Sequence, residues 1–307
     1  MTTDVLEPAP AVAPVASRRR RRIEKLIGDW LPVVPFLVLG GGLLVAAAVW
    51  LVIGSFRGPA GEWNLDAWTK IFKPGKVYRG SIITSVQVSL WTCTICTLVG
   101  TPLSWYIHDL RGRGKAFAIA LTNTAANFVG VSLARAFIST LGAAGFFTLL
   151  LRRVTGIDLA GGLYSEAGLV AIFCYFTIPL FVLLVLPAMA AVKPQWWEAV
   201  QVASGNRWTY WRYVGIPVLA PFVLSGWVLT FAWAMGQYAV VAALLGSQSG
   251  VHTIPLQIGD LIGKGSVFGS QSQVAAAYAV LLMLIAIVAL ATYLKLARKP
   301  MKRLEGL

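Results

Sequence analysis

A few residues in a very apolar chain have types and spacings that could carry chemistry. Cys93 and Cys96 form a Cys-x-x-Cys pair, the spacing of redox and metal-binding thiols. His108 and His252 are imidazoles, Arg135 is a cation within a long apolar stretch, and residues 263–266 read Gly-Lys-Gly-Ser, a fragment of a phosphate-binding loop. Their surroundings remove most of these. A Cys-x-x-Cys inside an apolar helix reads as small packing residues; Cys174 lies in another apolar stretch, and no disulfide framework is expected. The two histidines are far apart in the expected topology and take no metal or catalytic role. The Gly-Lys-Gly-Ser run lacks the earlier glycine of GxxxxGK[ST]. An intramembrane enzyme needs paired carboxylates, or Ser with His, at one depth, and no such constellation is evident.

What stays is a polar stretch between two apolar ones: EAVQVASGNRWTYWRYVGIP, residues 198–217. Pro194 suits the first turn of a helix, and Glu198 lies close enough to that start to favour the helix dipole. Gly205 is placed to end the helix in the left-handed conformation. Asn206 can cap a second helix running through Trp208 and Trp211 until Pro217 opens the next apolar stretch. The expectation is a helical hairpin near a membrane surface. Aromatic residues at 196, 197, 208, 210, 211 and 213 also suit a plain surface-anchored loop.

The elements around the hairpin must be membrane helices. The 307 residues are 57% hydrophobic and 12% charged, with a mean hydropathy of +0.73, which no ordinary soluble core requires. Six stretches reach the roughly 20 residues needed to cross a bilayer: 31–53, 82–107, 116–138, 168–192, 216–245 and 274–297. The first follows Arg18–Arg22 and exceeds a signal peptide's h-region, so it reads as an uncleaved anchor. Residues 1–30 read as a basic tail, disordered over its Pro- and Ala-rich start, and 298–307 as a second basic tail.

The net charge of +14 is explained by topology rather than nucleic acid. With the amino terminus cytoplasmic, 17 lysines and arginines fall inside and 8 outside, Arg135 making up the 26; this is the positive-inside pattern. Splitting residues 116–151 into two spans would destroy that bias. They are therefore read as one span followed by an outer-interface helix broken around Gly142 and Gly145. The hairpin then faces the cytoplasm and both termini are cytoplasmic.

Glu198 and Ala199, with Val200 for a second alanine, and Val214, Ile216 and Pro217 at the far end, resemble the cytoplasmic EAA loop of permease subunits in bacterial ABC importers. Ser204 stands where that family places its glycine, and Gly205 one residue later. Residues 80–297 resemble the family's five-helix core, with a coupling loop at 193–217. ANFVGVSLARAFISTLGAAGFFTLLL and GQYAVVAALLG resemble the spermidine/putrescine-type members, which implies a polyamine-type cargo, and members for ferric iron, thiamine, phosphonates and opines share much of these stretches and are the alternatives. The resemblance implies an all-α integral membrane protein of six transmembrane helices with the MetI-like type I fold, in the bacterial inner membrane. It implies no enzyme activity and no cofactor on this chain, ATP and Mg belonging to a partner ATPase. It further implies a second permease subunit that is a paralogue of this chain, two ATP-binding subunits and an extracytoplasmic solute-binding protein.

Glu198, Ala199, Val200, Ser204, Gly205, Arg207 and Pro217 are the coupling candidates; Glu198 either contacts the ATPase or pairs with Arg207. Arg135, Trp233, Gln237 and Tyr238 are candidates for the substrate pathway, with Trp227 as a further aromatic. Arg135 either lines the pathway or snorkels to the outer interface. Gln237 stands where many polyamine-type relatives carry an acid, and none of the expected spans contains Asp or Glu. A secondary transporter, the alternative class, would show repeated halves, broken helices or intramembrane acids.

Overall fold

A computed structural model describes residues 34–58, 61–73, 78–156, 161–246, 250–264 and 270–304. The basic tail expected at 1–30 lies outside them. The chain divides into two compact units, residues 1–53 and 54–307. A π-wound turn at Leu37–Gly41 leads into α1, Gly42–Phe56, whose last three residues belong to the second unit.

The second unit is an assembly of helices. Short α2 (Asp66–Phe72) precedes the long α3 (Tyr78–Asp109). Next come α4 (Gly112–Asn127), α5 (Val131–Leu141), α6 (Phe146–Thr155) and α7 (Glu166–Met189). After α8 (Pro194–Val202) and α9 (Arg207–Tyr210), a π-wound turn at Trp211–Gly215 continues into α10 (Ile216–Met235). Then follow α11 (Ala239–Leu245), α12 (Ile254–Lys264) and α13 (Ser270–Leu304). Six helical segments of the described residues are long and apolar enough to cross a membrane.

α3 and α7 run parallel, as contacts at both ends show. Thr84 donates a hydrogen bond to Glu166 near their starts, and Cys96 meets Cys174 further along. α10 runs against both: Trp211, just before its start, meets Trp105 late in α3, and Trp227, past its middle, donates from Nε1 to Thr94 earlier in α3. α13 packs on α10 and is tied to the start of α3 by the Tyr278 hydroxyl, which donates to the Tyr78 carbonyl at 2.8 Å.

Small residues bring these helices together. A Cβ added at Gly100 of α3 would lie 2.6 Å from Cδ1 of Phe181, and one at Gly226 of α10 would lie 3.0 Å from its Cε2. The fully buried Phe181 of α7 is thus clamped between two glycines on two neighbouring helices. Between apolar helices in lipid, close van der Waals packing of this kind supplies association that the hydrophobic effect cannot. Among the hydroxyls of α3, Ser104 Oγ donates to the Gly100 carbonyl at 2.7 Å and Ser85 Oγ accepts from the Ile254 amide at 2.8 Å, whereas the buried Thr92 and Thr101 hydroxyls find no partner among the described residues.

Two expected spans are corrected. Residues 116–138 are not one helix: α4 ends at Asn127, and Gly130 has φ +89°, a conformation that no helix passes through. The expected turn at Gly142 and Gly145 separates α5 from α6. Residues 216–245 are also interrupted. The amides of Gly236 and Gln237 turn to carbonyls three residues back, and α11 begins only at Ala239. Gly236 is the weak helix former that permits this break.

If the clamp governs helix association, Gly100→Ala should lower the thermal midpoint in detergent despite alanine's greater helix propensity, because overpacking a filled core costs about 1–3 kcal/mol. Gly80→Ala, where an added Cβ meets nothing within 4 Å, should raise it or leave it unchanged. Equal shifts for the two variants would contradict the clamp.

Candidate functional site: the 194–215 elbow

The polar stretch folds as a rigid elbow. Pro194 occupies the first turn of α8, where a missing N–H has no consequence. At the other end, Ser204 N–H donates to the Gln201 carbonyl at 2.9 Å and Gly205 N–H to the Val200 carbonyl at 2.8 Å. This pair of bonds is a Schellman ending, whose left-handed residue is usually glycine. Here that residue is Ser204, with φ +56°.

The expectation that Gly205 adopts the left-handed conformation is therefore corrected. Gly205 is required for closeness instead: a Cβ there would lie 2.6 Å from Cγ1 of Val200 and 3.0 Å from its carbonyl oxygen. The two residues divide one task, Ser204 setting the turn and Gly205 letting the backbones approach.

Asn206 then caps α9, its Oδ1 accepting from the Thr209 amide at 2.8 Å and the Thr209 hydroxyl at 2.9 Å. Pro217 does not mark a break. It lies in the first turn of α10, and the helical path is continuous from Arg207 through the π-wound turn to Met235.

The faces of the elbow differ sharply. Trp196, Trp197, Val200, Tyr210, Trp211 and Val214 pack into a core cluster with Cys96, Phe181, Val185, Met189 and Leu219. Trp197 meets Tyr210 edge-on at 5.4 Å, and Trp211 meets Trp105 of α3 edge-on at 4.8 Å. These aromatics are anchors in the protein rather than floats in a membrane interface. Trp208 and Tyr213 remain exposed.

On α8, Gln195, Glu198, Ala199 and Val202 share the opposite, exposed face, with Val202 88% accessible. Glu198 and Arg207 are both exposed, and no ion pair joins them among the described residues. The Trp105 contact also puts the elbow on the same end of the bundle as the α3–α4 turn. There Lys115 donates to the His108 carbonyl.

The expected pathway residues cluster only in part. Gln237 and Tyr238 form the break between α10 and α11, and Trp233 lies one turn before it. Gln237 is half-buried beside Ser85, Ser89 and Thr253, while Tyr238 packs its ring against Gly259 of α12. Trp227 stacks on Phe231, with centroids 5.9 Å apart. Arg135 is exposed on α5, whose buried Leu133 and Ala134 pack against Val240, Val241 and Leu244 of α11.

The sequence reading missed Glu166, which it left outside the fourth span. α7 begins there, with Ser165 as its cap accepting from the Gly168 amide. A serine followed by an acid ahead of an apolar run was the available signal.

The molecule is thus a bundle of long apolar helices that carries a capped, aromatic-anchored elbow at one end. Comparison with known proteins places it further. The chain is 29% identical to the molybdenum transport system permease protein ModB of Mycobacterium tuberculosis over 197 residues, covering 62% of this chain and 70% of ModB. It is 22% identical to the spermidine/putrescine transport system permease protein PotC of Escherichia coli over 243 residues, covering 74% of this chain and 84% of PotC.

No protein-family model matches. In fold it is similar to a chain of a bacterial alginate ABC transporter, solved with an alginate pentasaccharide-bound periplasmic protein. There the TM-score is 0.69 at 15% identity, covering 91% of this chain and 94% of the other. In sequence the chain is similar to transport-system permease proteins and in fold to a chain of an ABC transporter, and six of its described helical segments are long and apolar enough to cross a membrane.

Replacing Ser204 by glycine should relieve about 1 kcal/mol of left-handed strain and slow amide exchange across residues 200–206. Gly205→Leu should accelerate it by forcing Val200 aside. Unchanged exchange in both would show that the elbow does not depend on this ending.

Proposed function

We propose that this chain forms half of the translocation pathway of an ATP-driven importer and is moved by a separate ATPase through the 194–215 elbow. The observation that carries this reading is the division of α8 into two faces. One is locked by aromatic residues into the α3–α7–α10 core, and the other presents Glu198, Ala199 and Val202 outward. Rotation of one body passes to another only through a stiff contact, and the capped elbow is such a contact.

On this reading the elbow faces the cytoplasm of a bacterial inner-membrane protein whose two termini are also cytoplasmic. Glu198 makes polar contacts with the ATPase, and Ala199 allows close approach. Ser204, Gly205 and Arg207 shape and flank the bend, Val200 packs it on the core, and the exposed Pro217 lies in the first turn of α10, into which the bend runs. A second permease subunit completes the pathway, two ATP-binding subunits hold ATP and Mg, and an extracytoplasmic binding protein delivers cargo. Nucleotide chemistry belongs wholly to the partner chains.

For the cargo, the extent of similarity to PotC supports a polyamine-type solute, with Trp233, Gln237 and Tyr238 at the α10–α11 break along its route. The exposed Arg135 and the similarity to ModB favour a second reading, an oxyanion. Uptake of labelled putrescine and labelled molybdate by vesicles containing the complete transporter separates the two.

In such vesicles Gly205→Phe should leave the chain in the membrane and ATP hydrolysis running while uptake falls at least tenfold. Val202→Glu should weaken co-purification of the ATPase. Normal uptake by Gly205→Phe would remove the elbow from the mechanism.

A further inference from the structure

A groove of about 760 Å³ runs between α3 and α7, on the side of the bundle away from the elbow's end of these helices. Thr84, Val88, Trp91 and Ile95 are spaced i, i+4, i+7 and i+11 on α3, which places them on one stripe. Facing them on α7 are Glu166, Ala167, Val170, Ala171 and Cys174. Small residues on one wall and large ones on the other leave the groove open along its length.

Its chemistry is graded. Glu166 is the only charged residue in the lining and stands at the mouth, its Oε1 accepting from the Thr84 hydroxyl at 3.3 Å. No partner is found for Oε2 among the described residues. Eight residues further along α7, about 12 Å at 1.5 Å per residue, the lining is Val88, Ile95, Val170 and Cys174, all apolar in character. Trp91, 63% exposed, stands between Val88 and Ile95 on α3 and walls the apolar zone with its indole. The helix dipole explains an acid at the first turn of α7, but not a charged mouth above an apolar channel.

This gradient selects one kind of occupant. A molecule with ammonium groups at both ends would leave its second charge unpaired among apolar side chains, where burial is expensive. An anionic headgroup is repelled by Glu166. A quaternary ammonium has no N–H to give the carboxylate. We propose that the groove holds a phospholipid with a primary-ammonium headgroup, the ammonium on Glu166 and one acyl chain along the apolar floor toward Cys174. This site depends on the chain spanning a bilayer and not on which cargo it carries.

Native mass spectrometry of the chain and of the assembled transporter, each released from an equimolar mixture of phosphatidylethanolamine, phosphatidylcholine and phosphatidylglycerol, tests the proposal. Phosphatidylethanolamine should be retained selectively by both. Glu166→Gln should reduce that preference about tenfold, the weight of one charge-assisted hydrogen bond. Ala171→Phe should fill the groove and remove the adduct while Glu166 stays intact.

Cys174 gives a second readout, since maleimide labelling should rise in lipid-stripped protein and fall when phosphatidylethanolamine is restored. Equal retention of the three lipids, or unchanged preference in Glu166→Gln at an unchanged thermal midpoint, would overturn the site. Displacement of the lipid by putrescine would assign the groove to a soluble amine. Loss of the adduct on assembly would assign it to the second permease subunit. Either result overturns the lipid proposal.

Discussion

Phe181 sits where three membrane helices meet, its ring held between the bare backbones of Gly100 and Gly226. In lipid, apolar side chains have no water to escape, so helices stay together through contact area and close approach. A ring with a glycine at each of two opposite edges supplies both. The clamp fixes the spacing of α3, α7 and α10. Around it gather Val185, Met189 and Leu219, and with them the aromatic residues that anchor the elbow. The elbow is stiff because of what lies beneath it as much as because of its own hydrogen bonds.

The elbow shows how a turn can be specified by two residues that each meet a different demand. A Schellman ending needs a left-handed residue, and the crossing of α8 over the following strand of chain needs a position without a side chain. One glycine often serves the first demand. Here serine accepts the left-handed geometry at Ser204, and the glycine is kept for Gly205, where Val200 leaves no room. The two glycines that clamp Phe181 obey the same rule of proximity, with no unusual backbone angle at either.

Much of this architecture was legible in the sequence because hydropathy and helix caps are local signals. The apolar stretches gave the membrane spans, Pro194 and Asn206 marked helix starts, and the turn at Gly142 and Gly145 was visible in composition. The breaks at Gly130 and Gly236 were not, since an isolated glycine in an apolar run is compatible with a continuous helix until tertiary contacts decide. The assignment of the left-handed residue failed for a related reason. Propensity favours glycine by about 1 kcal/mol or more, and a packing contact with Val200 outweighed it. Trp196, Trp197, Tyr210 and Trp211 could not be sorted into anchors and surface residues without knowing which side of α8 meets Phe181's cluster. Glu166 was overlooked because the span was begun two residues late.

The interruption after Met235 limits how motion can spread. Within α10 each turn is coupled to the next by its ladder of backbone hydrogen bonds, so the helix twists as one shaft. At Gly236 and Gln237 that ladder shortens and ends, and α11 belongs instead to a cluster with α5 and the first half of α7. Under the coupling proposed for the elbow, torque entering at Trp211 therefore has no axial route to Leu245. It must leave α10 sideways, through meshed side chains, in the manner of a gear train and not a crankshaft.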